Sequence, residues 1–141
     1  MTDGVESRML RAAMSRTMAR TDREMLELAA KAFWGDDIDD CCSVRWLEVD
    51  QAIGYTHADN QDHNGEDRER VWNPLDDDGD ALRLLAVRKL AVSWEYMPGH
   101  VLVEDTESDH HVVEQIIDGD RASALRRAAT ACMAEIGMAM P

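Results

Sequence analysis

Carboxylates stand at alternate positions in Asp76-x-Asp78-Gly79-Asp80, the arrangement with which a calcium-binding loop begins. A hard cation needs several oxygen ligands from one loop, so the remaining positions decide the matter. The sixth, Ala81, lacks the glycine that the turn requires, and the twelfth, Val87, lacks the bidentate glutamate. Acids crowding the first turn of a helix explain the run better, because free N–H groups and the positive dipole end lie there. His57, His63, His110 and His111, with Cys41 and Cys42, are zinc-ligand types, but none has the short repeated spacing of a zinc site. His110 and His111 open a strand, where neighbours point to opposite faces, so one ion does not easily reach both. Surface histidines are expected, with no metal and no cofactor. Nucleophilic catalysis has no foothold: the chain has no Gly-x-Ser-x-Gly elbow, no phosphate-cradling glycine loop and no His-Glu-x-x-His. Carboxylates are plentiful enough for acid–base hydrolysis, yet abundance does not position two of them. The expectation is a protein that is not an enzyme.

The acids do have a direction. The net charge of the 141 residues is −14, and residues 34–80 carry almost all of it, against a slightly basic segment before them and a mildly acidic one after. Such a field repels phosphate backbones and attracts a basic groove on another protein. Direct nucleic-acid binding is therefore disfavoured.

Cys41, Cys42 and Cys132 are odd in number and form no Cys-x-x-Cys, which points to a reducing, cytoplasmic setting rather than a secreted disulfide framework. The N-terminus lacks the apolar run of a signal peptide, and no window approaches the roughly 18 apolar residues of a membrane span. A chain of this length can bury a sizeable core in one domain. Nine methionines and few aromatic residues must fill that core, a Met-lined binding groove being the alternative use of the methionines.

The elements that must position these groups follow from periodicity and punctuation. Residues 1–20 read as an arm or leading helix, and residues 21–141 as a single domain. Thr21-Asp22-Arg23-Glu24 is a capping box, and Met25, Leu28, Ala29, Ala32 and Phe33 then recur at helical spacing, which predicts a helix over 22–34 ended by Gly35. Asp36–Asp40 is a loop. Val44 to Val49 predict a strand, with Ile53 and Tyr55 as its continuation. Residues 57–70 are polar, either the tip of a hairpin returning over 67–72 or a mobile loop. Asn73-Pro74 turns the chain into a second helix over 77–89, with Leu82, Leu84 and Leu85 inward. Three strands follow at 91–96, 101–105 and 112–117, with Pro98-Gly99 at the centre of a type II turn. Asp120 caps the last helix, whose stripe Ala122, Leu125, Ala129, Cys132, Ile136 and Met140 is buried while Arg126, Arg127 and Glu135 face water. The sum is an α+β domain, an antiparallel sheet of about 3–5 strands covered by three main helices in a layered sandwich. Trp46, Trp72 and Trp94 are expected in the core, and Trp34, beside the acidic loop, at an interface.

Three segments carry a resemblance: Met25-Leu-Glu-Leu-Ala-Ala-Lys-Ala, Trp72-Asn-Pro-Leu-Asp-Asp-Asp-Gly-Asp-Ala-Leu-Arg-Leu, and Arg126-Arg-Ala-Ala with Ala134-Glu-Ile-Gly-Met-Ala-Met. In order and location they resemble the phage ABA-sandwich domain family, small accessory proteins of tailed phages and prophages, over roughly a third of the chain. The resemblance implies an α/β/α layered fold and a phage accessory role, and it brings no catalytic residues.

The functional expectation is a non-catalytic interaction protein of phage or prophage origin in a bacterial cytoplasm. Its acids would imitate a nucleic acid toward a host protein with a basic cleft, such as a defence nuclease or a nucleic-acid-binding factor, and possible inhibition of that protein would follow. The expected contact residues are Trp34, Asp36, Asp37, Asp39, Asp40, Asp59, Asp62, Glu66, Asp67, Glu69, Asp76 and Asp77. The alternatives are a small binding or hydrolytic domain that holds a metal or a phospho-ligand, and a phage replication or virion accessory subunit.

Overall fold

A computed structural model describes residues 20–35, 42–57 and 69–141. The order of elements is α1 (Asp22–Trp34), β1 (Cys42–Leu47), β2 (Ala52–His57), β3 (Arg70–Trp72), α2 (Asp78–Arg88), β4 (Leu90–Ser93), β5 (His100–Asp105), β6 (His111–Gln115) and α3 (Arg121–Ala139). The α+β architecture expected from the sequence is present. Its strands are divided between two three-stranded antiparallel sheets, β1-β2-β3 and β4-β5-β6.

The third helix is the centre of the molecule. It packs against α1, α2, β5 and β6, so it has no solvent side over most of its length. Residues Ala128 to Ala134 are all buried in succession, which small side chains permit. The expected single stripe is therefore a partial description: Ala129, Cys132 and Ile136 are buried, whereas Ala122 is exposed. Nor do Arg126, Arg127 and Glu135 simply face water. Each is partly covered and ion-paired, with Asp78, Asp22 and Arg20 respectively. Gly137 lets α1 come close, since a methyl group there would collide with the Leu28 carbonyl.

The first helix begins and ends as its sequence dictates. Glu24 N–H donates to Thr21 Oγ1 at 3.1 Å, and Gly35, at φ 54°, donates its N–H to the Lys31 carbonyl at 2.9 Å. Met25, Leu26, Ala29 and Ala30 form its buried face. The expected strand from Val44 through Tyr55 is instead a hairpin. Residues 48–51 turn, Gln51 adopts φ 50° and its side chain donates to the Glu48 carbonyl at 2.7 Å. The phase shift at Leu47 marks this reversal. Ile53 pairs with Trp46 on one side and Trp72 on the other, and this row faces α1.

Asp77 caps α2, accepting from Asp80 N–H at 2.8 Å. Leu84 is buried, but Leu82 is 65% exposed, contrary to the inward role expected of it. Among the described elements the helix packs against α3 and, where the chain turns back, β4. Lys89 at φ 57° is a left-handed cap that turns α2 directly into β4. Along β5, Val101, Val103 and Asp105 alternate onto the core face. Pro98-Gly99 forms the expected turn, with Gly99 at φ 74° and His100 N–H bonded to the Met97 carbonyl. Trp94 is not a core residue: β4 stops at Ser93, and the Trp94 ring lies in the following loop, 41% exposed.

Candidate interaction surface

The acids of residues 73–80 are engaged in building the α2 entry. Asn73 N–H donates to Asp80 Oδ2 at 2.9 Å, and Asn73 Oδ1 accepts from Leu75 N–H at 3.1 Å. Asp77 holds the first turn. Arg126 clasps the segment from α3, with Nε on the Leu75 carbonyl at 2.9 Å and Nη1 on Asp78 Oδ1 at 2.7 Å. Burial pushes the Asp80 carboxyl up, while the Asn73 N–H and Arg83 oppose that rise. Here the carboxylates have roles as caps and braces, which is what first-turn acids do. Of the expected contact residues, Asp76 and Asp77 are exposed, but Asp77 is occupied as the cap and Asp76 accepts from the Asn73 side chain at 3.3 Å.

Glu69 is likewise held. Arg45 donates to both of its oxygens at 2.8 Å, and this bidentate pair holds the Glu69 carboxyl low. Arg23 bridges Glu27 and Glu48 and lies 5.1 Å above the Trp46 ring. The same pattern runs through the chain. Arg20, Arg23, Arg45, Arg83, Arg88, Arg126 and Arg127 are each paired with one of the protein's own carboxylates. Pairs of this kind contribute little far field, so the surplus acids set the sign of the outer surface.

Trp34 is half-buried rather than a free surface ring. It lies 4.9 Å from Phe33, 5.1 Å from Tyr55 and 5.0 Å from Trp72, centroid to centroid. This aromatic group closes one end of the first sheet, and the termini of the neighbouring segments meet there. Cys42 pairs with His57, and Tyr55 pairs with Arg70. The points where the described chain adjoins residues 36–41 and 58–68 are thus gathered at one end, next to Trp34. Asp36, Asp37, Asp39, Asp40, Asp59, Asp62, Glu66 and Asp67 themselves lie outside the described residues, as do the expected loop at 36–40 and most of the polar stretch 57–70.

Among the described residues, Cys132, His100, His111 and Asp105 are engaged in the fold, with Glu114 as an exception. Burial, with the nearby Asp105 and Glu135 charges, pushes the Cys132 thiol up to about 12, too high for a thiolate nucleophile. His100 and His111 each have Nδ1 on a backbone carbonyl two residues back, at 2.9 and 3.1 Å. Asp105, with a fully covered side chain, receives Ser108 Oγ, Glu107 N–H and Arg88. Burial pushes its carboxyl up, but those donors together hold it below the usual range. Among the described residues no three His, Cys, Asp or Glu side chains converge as metal ligands.

The exception is Glu114 on β6. Burial pushes its carboxyl up, Arg127 Nε stands 3.6 Å from Oε1, and Oε2 has no hydrogen-bond partner. It lines a cavity of ≈ 360 Å³ together with Asp118, Asp120, Ser123 and Arg127. Sequence reasoning missed this site, and it also missed that Trp94 and Tyr96 are exposed. Alternation along β6 could have placed Glu114 on the helix-facing side, but nothing local signals that its partner would be only half satisfied.

Comparison with family models, with curated proteins and with solved structures finds no match to this chain.

Among the described residues no helix is long and apolar enough to cross a membrane.

Proposed function

We propose that the protein is a non-catalytic interaction protein, phage-derived as the resemblance implies, that binds a basic cleft on a bacterial host protein. The observation that carries this reading is the pairing of Cys42 with His57, which brings the ends of the two acid-rich segments together beside the Trp34 ring. Acids attached at one place act on a partner in concert. Their charge speeds encounter, and the adjoining aromatic rings supply apolar contact once the partner has arrived. Most of the described arginines are engaged in internal pairs, which supports the reading that the surplus acids are available to a partner. The contact set is narrower than expected, because Glu69, Asp76 and Asp77 already serve the fold.

A host protein that handles nucleic acid, including a defence nuclease, is the class of target this surface suits. The chain is immobilised, bacterial lysate is passed over it, and bound protein is eluted with short duplex DNA. Release of a basic protein by DNA at constant ionic strength is the expected result. Retention of every captured protein in the presence of excess DNA removes nucleic-acid mimicry from the account.

A further inference from the structure

We infer that the outer face of α2 is a self-association surface, on which α2 of a second copy of this chain packs antiparallel about a two-fold axis. The inference goes beyond the contact with a host protein and stands on other residues.

This helix has two apolar faces, where a helix on the surface of a domain needs one. Ala81 and Leu84 are buried on the inner face. On the outer face Leu82 is 65% exposed, Ala86 is exposed and Leu85 is half-buried. Asp78, Leu82, Leu85 and Lys89 follow one another at spacings of four, three and four residues, which sets them in one line along the helix. Ala122 and Leu125 of α3 flank that line, and the two helices enclose an apolar groove of ≈ 270 Å³ beside it. A row of apolar side chains with a charge at each end is the pattern of a helix that packs on another helix.

The charges at the two ends identify the occupant. Asp78 stands at the N-terminal end of the line and Lys89 at the C-terminal end. When a second α2 lies antiparallel, the register that sets Asp78 opposite the partner's Lys89 also sets Leu82 opposite the partner's Leu85. Every contact then repeats across the axis, as a two-fold interface requires. Acid meets base twice, leucine meets leucine twice, and the helix dipoles oppose one another. Asp78 gives Oδ1 to Arg126, but its side chain is 81% exposed, which leaves room for a second donor. Lys89 is exposed, and its backbone serves the fold through the Leu85 carbonyl and Thr106 Oγ1. A foreign surface of one sign would match only one end of the line. The net charge of −14 repels copies at long range, but the screening length at physiological ionic strength is about 8 Å, so the local pairs decide. An 11-residue helix is about 16 Å long, so the contact falls at the small end of interfaces, below about 1,200 Å², and the dimer is transient.

The test is sedimentation equilibrium of the full chain at physiological ionic strength, from micromolar to millimolar protein. The native chain is expected to pass from monomer to dimer over that range. Leu82→Glu, which changes an exposed side chain and leaves the core intact, is expected to weaken the association about tenfold or more. Lys89→Asp and Asp78→Lys each set like charges opposite one another in their own dimers, and each alone is expected to stay monomeric. An equimolar mixture of those two variants restores both acid–base pairs and is expected to dimerise. A native chain that is monomeric at every concentration overturns the proposal and leaves the groove to a different protein. A dimer that survives Leu82→Glu places the contact elsewhere and overturns it too. Loss of the dimer in Leu82→Glu without recovery in the mixture, both variants being folded by thermal melting, overturns the antiparallel register.

Discussion

Cys42 and His57 stand opposite each other in the β1–β2 ladder, so the described chain adjoins both acid-rich segments at one end of the first sheet. The consequence is electrostatic. On the proposed function, acids on segments that join the described chain at one end act on a partner together, since clustered charge steers encounter where evenly spread charge does not. The Trp34 and Tyr55 rings at the same end, 5.1 Å apart, supply apolar surface.

Trp34 is half-buried in the aromatic group, and its variants test how far that group holds the end of the sheet. Trp34→Ala removes three ring contacts and is expected to destabilise the protein by roughly 2–3 kcal/mol, while Trp34→Phe costs about 1 kcal/mol or less. Urea denaturation measures both. If Trp34→Ala leaves the midpoint unchanged, the aromatic group does not hold this end of the sheet.

Gly137 should resist substitution. Alanine raises helix propensity by about 1 kcal/mol, but its methyl group would strike the backbone of α1 at Leu28. Overpacking against backbone is expected to win, giving a net loss of roughly 1–3 kcal/mol. A neutral or stabilising Gly137→Ala, read by thermal melting, would mean that α1 and α3 sit farther apart than described.

Much of this architecture was legible because it rests on local chemistry. Thr21, Gly35, Asp77, Asp120 and the Pro98-Gly99 turn mark boundaries with hydrogen bonds that short segments make by themselves. What could not be read depends on distant partners. Arg126 and Arg127 resemble solvent-facing residues until α3 is surrounded by Asp78, Asp22 and Glu114 from other elements. Trp94 reads as core because aromatic residues usually are, and only the early end of β4 leaves it outside. The carboxylates of 76–80 were legible as helix-start acids, but the clasp by Arg126 across 48 residues was not.

Asp105 should give the acid limb of the stability profile. Its native carboxyl lies below the usual range, so its contribution is complete above the unfolded value near 3.9 and is lost as pH falls through the native value. Asp105→Asn is expected to cost about 2–3 kcal/mol at neutral pH, since it leaves the half-exposed Arg88 without its main partner. The gap between native and variant narrows below about pH 4 as the native carboxylate protonates. A gap that is constant from pH 7 to pH 3 would show that the charge of Asp105 plays no part.

The most direct measurement compares the native chain with a variant carrying lysine at positions 36, 37, 39 and 40, each immobilised and exposed to the same bacterial lysate, with bound proteins quantified by mass spectrometry. The account requires a basic protein retained by the native chain in stoichiometric amount, released by raised salt, and absent from the reversed variant. Retention of the same protein by both surfaces, unaffected by salt, would contradict it.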